Sequence, residues 1–236
     1  VVVGVDGSPA SDRALDWAAA EAVRHEARLT ILSAYVAPPP AAWTSYGVGS
    51  DSSRTEAEDA VGTAMRRLAQ ARVRRIVPVP ACDDVEARAV RSTAASALVQ
   101  SSFSSDLVVV GRRGLAAHGR PVLGSVSSAV AAMAGGPVAV VPDDADVGPV
   151  WEVVAGVGPD DGAGRVLSLA FEKAERTAAP LSIVHALEPD GVARLMGDPV
   201  WANRYEDDVT ASLCAEAARW VEKYPTVQWS LRVQTG

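Results

Sequence analysis

Apolar and polar positions along the 236-residue chain alternate between two periods. The opening Val1-Val2-Val3-Gly4-Val5 is a β-branched run stopped by Asp6-Gly7-Ser8-Pro9, which predicts a buried strand ended by turn-forming residues. Leu15, Ala18, Ala19, Ala22 and Val23 then recur at i, i+3, i+4, i+7 and i+8, one apolar stripe of an amphipathic helix that Ser8 or Ser11 can cap. The same reading predicts strands over 29–35, 85–90, 107–110 and 138–141, and helices over 51–72, 94–103 and 126–133. Pro38-Pro39-Pro40 and the Ala, Ser and Gly residues after it predict a surface loop.

Short, almost wholly apolar strands alternating with helices are what a parallel sheet covered on both faces requires. The expected class is α/β, a doubly wound open parallel sheet. Ligands of such sheets sit beyond the carboxyl ends of the strands, where the strand order reverses, so the loops after Val5, Tyr35 and Val110 are the places to look.

A shift of 152 residues lays Val153-Val154-Ala155-Gly156-Val157 on the first strand and 181–187 on the second. It also keeps the helix between them in register, with Leu167 on Leu15 and Ala170 on Ala18. The stretch 227–233 resembles the third strand at a spacing about ten residues shorter, and nothing after it matches 94–141. The expectation is a tandem repeat with a truncated second copy: domains at 1–145 and 146–236, divided at the acidic linker Asp143-Asp144-Ala145-Asp146.

Composition narrows the function classes. A net charge of -7 disfavours a phosphate-backbone partner, so no nucleic-acid role is expected. Cys82 and Cys214 are far apart and form no CxxC pattern, which argues against a disulfide framework or a zinc site and suits a reducing cytoplasm. The uncharged stretch 121–142 is long enough to raise the question of a membrane span, but its serines and Gly135-Gly136-Pro137 divide it into helix, turn and strand. Neither a membrane partner nor a signal peptide is expected, and because Val1 already lies inside an apolar run, a few residues are expected before it.

The densest candidate chemistry follows the fourth strand. Gly111-Arg112-Arg113-Gly114, nine further residues, and Gly124-Ser125 opening a helix form a strand, a glycine-punctuated loop and a helix N-terminus. Glycines let backbone amides approach an anion, and the helix directs unpaired N–H groups to the same spot. The loop is not a Walker A motif, since Leu123 stands where Lys would be needed, and its glycines do not fit G-x-G-x-x-G. On these residues alone, a polyphosphate cradle and a plain glycine turn both stay open.

The spacing Gly-x2-Gly-x9-Gly-Ser from Gly111 to Ser125, together with VVVGVDGSPASDRALDW at the start, resembles the universal stress protein family, in particular its tandem-domain, actinobacterial-like members. The resemblance covers 1–142 and continues more weakly into the second unit. It implies a five-stranded parallel sheet in the order 3-2-1-4-5, of the adenine nucleotide alpha hydrolase-like kind, and ATP as cofactor, with Mg as its companion. It further implies that Asp6 contacts the adenosine moiety and Val36 walls the adenine ring. Gly111, Gly114, Gly124 and Ser125 would hold the phosphates, and Val110 and Val126 would line the site by backbone. Asp6 also has a local reading as a turn or cap residue, and Val36 one as plain core. In the second unit Gly158 stands at the position of Asp6 and Pro159-Asp160 replaces Gly7-Ser8, so nucleotide binding there is not expected.

Arg112, Arg113, His118 and Arg120 lie in the loop as phosphate partners or as solvated charges. His25 and His185 read as surface and core residues rather than ligands, since no Cys, His or carboxylate stands at metal-ligand spacing; no metal site is expected. Trp201, Trp220 and Trp229 read as packing anchors, and Glu206-Asp207-Asp208 as the acidic first turn of a helix. No nucleophile, base and orienting group can be assembled, so no catalytic residue is assigned and the chain is at most a slow ATPase. The expected function is a nucleotide-dependent stress-response protein, with intramolecular domain pairing and a homodimer as its assembly. The alternative is a nucleotide-free scaffold acting through dimerisation or partner binding.

Overall fold

A computed structural model of the chain describes residues 1–36, 51–114, 123–145, 147–158, 162–187 and 199–235. The chain divides into two compact units, Val1–Val147 and Gly148–Gly236.

In the first unit the elements run β1 (Val2–Gly4), α1 (Pro9–Arg24), β2 (Leu29–Tyr35), α2 (Asp51–Arg74), β3 (Val85–Arg91), α3 (Ala94–Ser102), β4 (Val108–Gly111), α4 (Ser125–Met133) and β5 (Val138–Val141). All strand pairs are parallel and the sheet order is β3-β2-β1-β4-β5, the doubly wound order expected. Ser8 caps α1, its Oγ accepting the Ser11 N–H at 3.1 Å, so of the two expected caps Ser8 takes the position and Ser11 supports it. Alanines at 14, 18, 19 and 22 let α1 lie close on the sheet, and with Leu15, Val3, Leu29, Ile31 and Val109 they build the core of one face. The other face buries Val2, Leu32, Leu98, Val108, Val110 and Val130 beneath α3 and α4. Burying one such Val, Leu or Ile contributes about 1.5–3 kcal/mol. A two-pronged clasp ties α1 to α2: Arg67 donates from Nε to Asp16 Oδ1 at 2.9 Å and from Nη2 to Asp16 Oδ2 at 2.6 Å, with Asp12 beside them. Hydrogen bonding to Asp16 raises the Arg67 guanidinium above its ordinary pKa.

The second unit contains β6 (Val153–Gly156), α5 (Ala163–Thr177), β7 (Leu181–Leu187), α6 (Pro199–Lys223) and β8 (Trp229–Thr235), with parallel sheet order β6-β7-β8. Val2 stands opposite Thr30 and Val154 opposite Ser182, an offset of 152 at both positions. Val85 faces Leu29 and Trp229 faces Leu181, an offset of 144, so the third strand of this unit is displaced by eight residues rather than the expected ten and begins at Trp229. Its core centres on Phe171, which stacks on Tyr224 at 6.3 Å and meets Trp229 at 6.5 Å. Trp220 and Trp229 are therefore packing residues; the Trp201 side chain lies outside the described residues. Because α6 begins at Pro199, Glu206, Asp207 and Asp208 lie two turns inside it, not in its first turn. His185 is buried, its Nδ1 2.7 Å from the Val157 carbonyl oxygen, as a core histidine should be. His25 closes α1 and pairs with Glu21 at 3.0 Å.

Candidate functional site

Beyond β1 the chain turns sharply through Asp6 and Gly7. The Ser8 N–H donates to Asp6 Oδ1 at 3.0 Å, and Gly7 takes φ +77, a conformation that L side chains rarely adopt. One carboxylate oxygen of Asp6 thus serves the local turn, and the exposed residue stands at the carboxyl edge of the sheet. The sheet order places β4 directly beside β1, with helices departing to opposite faces, which makes this the switch point of the strand order.

The loop after β4 is fitted to that turn at two glycines. A Cβ on Gly111 would stand 2.8 Å from the Ala10 carbonyl oxygen and 2.9 Å from its carbon, so the end of β4 reaches the first turn of α1 only because position 111 has no side chain. Gly111 therefore has a packing reason to be glycine that needs no ligand. A Cβ on Gly114 would stand 2.5 Å from Asp6 Oδ2, so the loop backbone passes directly over the Asp6 carboxylate.

A clasp closes the base of the loop. The Arg112 carbonyl accepts the Gly124 N–H at 2.9 Å and the Ser127 hydroxyl at 3.0 Å, and that hydroxyl also lies 3.0 Å from the Gly124 carbonyl oxygen. Ser127 is buried and was not among the site residues expected from the sequence; its signal there was a second hydroxyl residue in the turn that opens with Gly124-Ser125. Gly124 caps α4 with no side-chain hydrogen bond, and exposed Ser125 begins the helix. A cap without a side-chain acceptor leaves first-turn N–H groups open to an outside anion. Val110 is buried in the core, so it could meet a ligand only through backbone, while half-buried Val126 packs against the same cluster. Val36 is 59% exposed just past the end of β2, which rules out the plain-core reading. His118 and Arg120 lie outside the described residues.

Arg113 turns toward β5: its Nη2 is 3.1 Å from Asp143 Oδ2, and Arg13 approaches the other carboxylate oxygen at 3.6 Å. Asp143, read from sequence as part of a linker, belongs with the loop. Among the described residues no group of three or more His, Cys, Asp or Glu side chains could hold a metal, and no helix is long and apolar enough to cross a membrane.

The model of the Universal stress protein family matches residues 1–142. The chain belongs to the universal stress protein family. A universal stress protein of Mycolicibacterium smegmatis is 31% identical over 240 residues, which span 99% of this chain and 79% of that protein. One from Mycobacterium tuberculosis is 33% identical over 235 residues, covering 96% of this chain and 76% of its own length. Among solved structures, a universal stress protein from Archaeoglobus fulgidus aligns over 100% of this chain and 78% of its own with a TM-score of 0.60; at 16% identity this speaks for the fold alone. In this universal stress protein, Gly114 lies over Asp6, Gly111 abuts the first turn of α1, the Arg112 carbonyl ties the same loop to Gly124 where Ser125 opens α4, and Val36 follows the end of β2.

Proposed function

We propose that this universal stress protein binds ATP at the carboxyl edge of its first sheet and acts as a nucleotide-dependent regulatory protein in the stress response. The observation that carries the reading is the fit of Gly114 over the Asp6 carboxylate, which joins an acceptor suited to ribose hydroxyls to a glycine loop suited to phosphates. Asp6 and Val36 take the adenosine end; Gly111, Gly114 and Gly124 give the phosphates close access to backbone, and Ser125 adds a hydroxyl at the start of α4. Mg2+ travels with the triphosphate, whose own oxygens supply the ligands it prefers. Regulation requires that ATP favour one of two conformations over the other.

The second unit repeats the pairing of the first two strands at a constant offset, and with Gly158 at the Asp6 position it serves as a pairing partner without a nucleotide of its own. A homodimer and residence in the cytoplasm belong to the same proposal. The test is to denature the purified protein, assay the supernatant for adenine nucleotide, and titrate the emptied protein with ATP calorimetrically, with and without Mg2+. One mole of ATP per mole of chain is expected; neither released nucleotide nor heat would overturn the reading in favour of a nucleotide-free scaffold.

A further inference from the structure

Resting on that reading of the site, we propose that Asp143 is an internal competitor for the phosphate loop: its carboxylate holds the Arg113 guanidinium, and the terminal phosphate of a bound nucleotide takes that guanidinium from it. Arg113 stands in the middle of the site. The residue before it is pinned to α4 through its carbonyl, and the residue after it covers Asp6. Its Cα would be 3.4 Å from a Cβ on Gly124, so the side chain departs from beside the opening of α4. Its head nevertheless turns away, to Asp143 Oδ2 at 3.1 Å.

Arg13, from α1, approaches the same carboxylate at 3.6 Å, so two guanidiniums share one acidic group. Among the described residues neither Arg13 Nε nor Arg113 Nε, both buried, finds an acceptor. The cluster is short of acceptors. A phosphate offers three strongly accepting oxygens in the geometry a guanidinium fork prefers, and it would satisfy donors that one carboxylate cannot. The exchange moves no proton: Arg113 trades a carboxylate for a phosphate, and Asp143 keeps Arg13.

Asp143 also gives the exchange somewhere to go. It directly follows Pro142 at the exit of β5, in a turn closed by the Ala145 N–H on the Pro142 carbonyl at 3.3 Å, and Ala145 packs on the core beneath α1. That turn is the last structure before the first unit ends at Val147. Loss of the Arg113 contact removes one of the two side chains holding it, so occupancy of the loop is felt at the end of the unit. Asp144, exposed and in no ion pair with either arginine among the described residues, is the matched control for charge.

The experiment measures ATP and adenosine affinities of the whole chain by calorimetry, with native folding of each variant checked by thermal unfolding without nucleotide. Asp143→Asn is expected to tighten ATP about tenfold while leaving adenosine and the Asp144→Asn control unchanged, the size of one charge-assisted hydrogen bond released from competition. Arg113→Gln is expected to weaken ATP by about the same factor, and the double variant to match Arg113→Gln alone. Unchanged or weaker ATP binding by Asp143→Asn overturns the competition, as does a gain that survives in the double variant. If Asp143→Asn fails to fold, Arg113→Gln decides: equal losses for ATP and adenosine refute it. Wild-type protein that binds neither ligand removes the nucleotide site itself, an outcome distinct from binding that ignores Asp143.

Discussion

Gly114 lies so close over Asp6 that a Cβ there would stand 2.5 Å from the Asp6 Oδ2 atom. The contact brings residues more than a hundred positions apart into one site, and it decides how substitutions at either end should behave.

Gly114→Ala displaces a flexible carboxylate rather than backbone, so the fold should survive with an unfolding midpoint within a few degrees of wild type. ATP affinity should fall by about tenfold or more, as expected when a positioning hydrogen bond is lost. Asp6→Asn keeps an acceptor for the Ser8 N–H and so preserves the turn, whereas Asp6→Ala also costs the turn about 0.5–2 kcal/mol. Calorimetric titration beside thermal melts separates the two effects; equal ATP binding by wild type and Gly114→Ala would place the nucleotide elsewhere.

Gly124 and Gly111 should part company. At Gly124 a Cβ meets its nearest neighbours at 3.4 Å and φ is -66, so Gly124→Val is tolerated by the fold and places its branches among the first-turn N–H groups, abolishing ATP binding. At Gly111 the obstacle is the Ala10 backbone, so Gly111→Ala should destabilise the chain by about 1–3 kcal/mol before any ligand is considered. Chemical denaturation of both variants checks the contrast, and a Gly124→Val protein that still binds ATP would show the phosphates to lie elsewhere.

Ser127→Ala removes one of the two donors on the Arg112 carbonyl. The remaining Gly124 N–H keeps that carbonyl paired, so the cost should be about 0.5–1.5 kcal/mol of stability, with a modest loss of ATP affinity as the loop base loosens. Denaturant midpoints and titrations on the same preparation test it. An unchanged midpoint would mean the clasp contributes nothing.

Each face of the first sheet has its own core within Val1–Val147. A fragment ending at Val147 should therefore fold cooperatively and bind one ATP with the affinity of the whole chain. Failure of that fragment to bind, despite a native melt, would mean that the second unit contributes to the site.

The Arg67–Asp16 clasp between α1 and α2 is partly open to solvent, with the Arg67 side chain 40% exposed. After discounting for screening, Arg67→Met should cost no more than about 1 kcal/mol, shrinking further in high salt. The guanidinium pKa is raised in the folded chain, so its contribution is complete below the unfolded value and is lost only as pH rises past the folded one. Melts at neutral pH and at pH 9 should therefore show the same difference between variant and wild type, and a difference that vanishes at pH 9 would contradict the assignment.

Periodicity located the strands and helices of the first unit, because β1, β4 and β5 are apolar runs, β2 is mostly apolar, β3 largely alternates apolar with charged residues, and each helix carries one apolar stripe, patterns that hardly depend on what they pack against. The glycine spacing from Gly111 to Ser125 was legible for the same local reason. The register of β8 was not, since a weakly patterned edge strand is placed by its pairing with β7 and not by its own residues. Nor could the sequence say that Gly111 is glycine for the sake of Ala10, that Ser127 closes the loop, or that Asp143 belongs to Arg113 rather than to a linker. Those relationships join residues from different strands and helices, and they exist only once the parallel sheet has brought the ends of β1, β4 and β5 to the same edge.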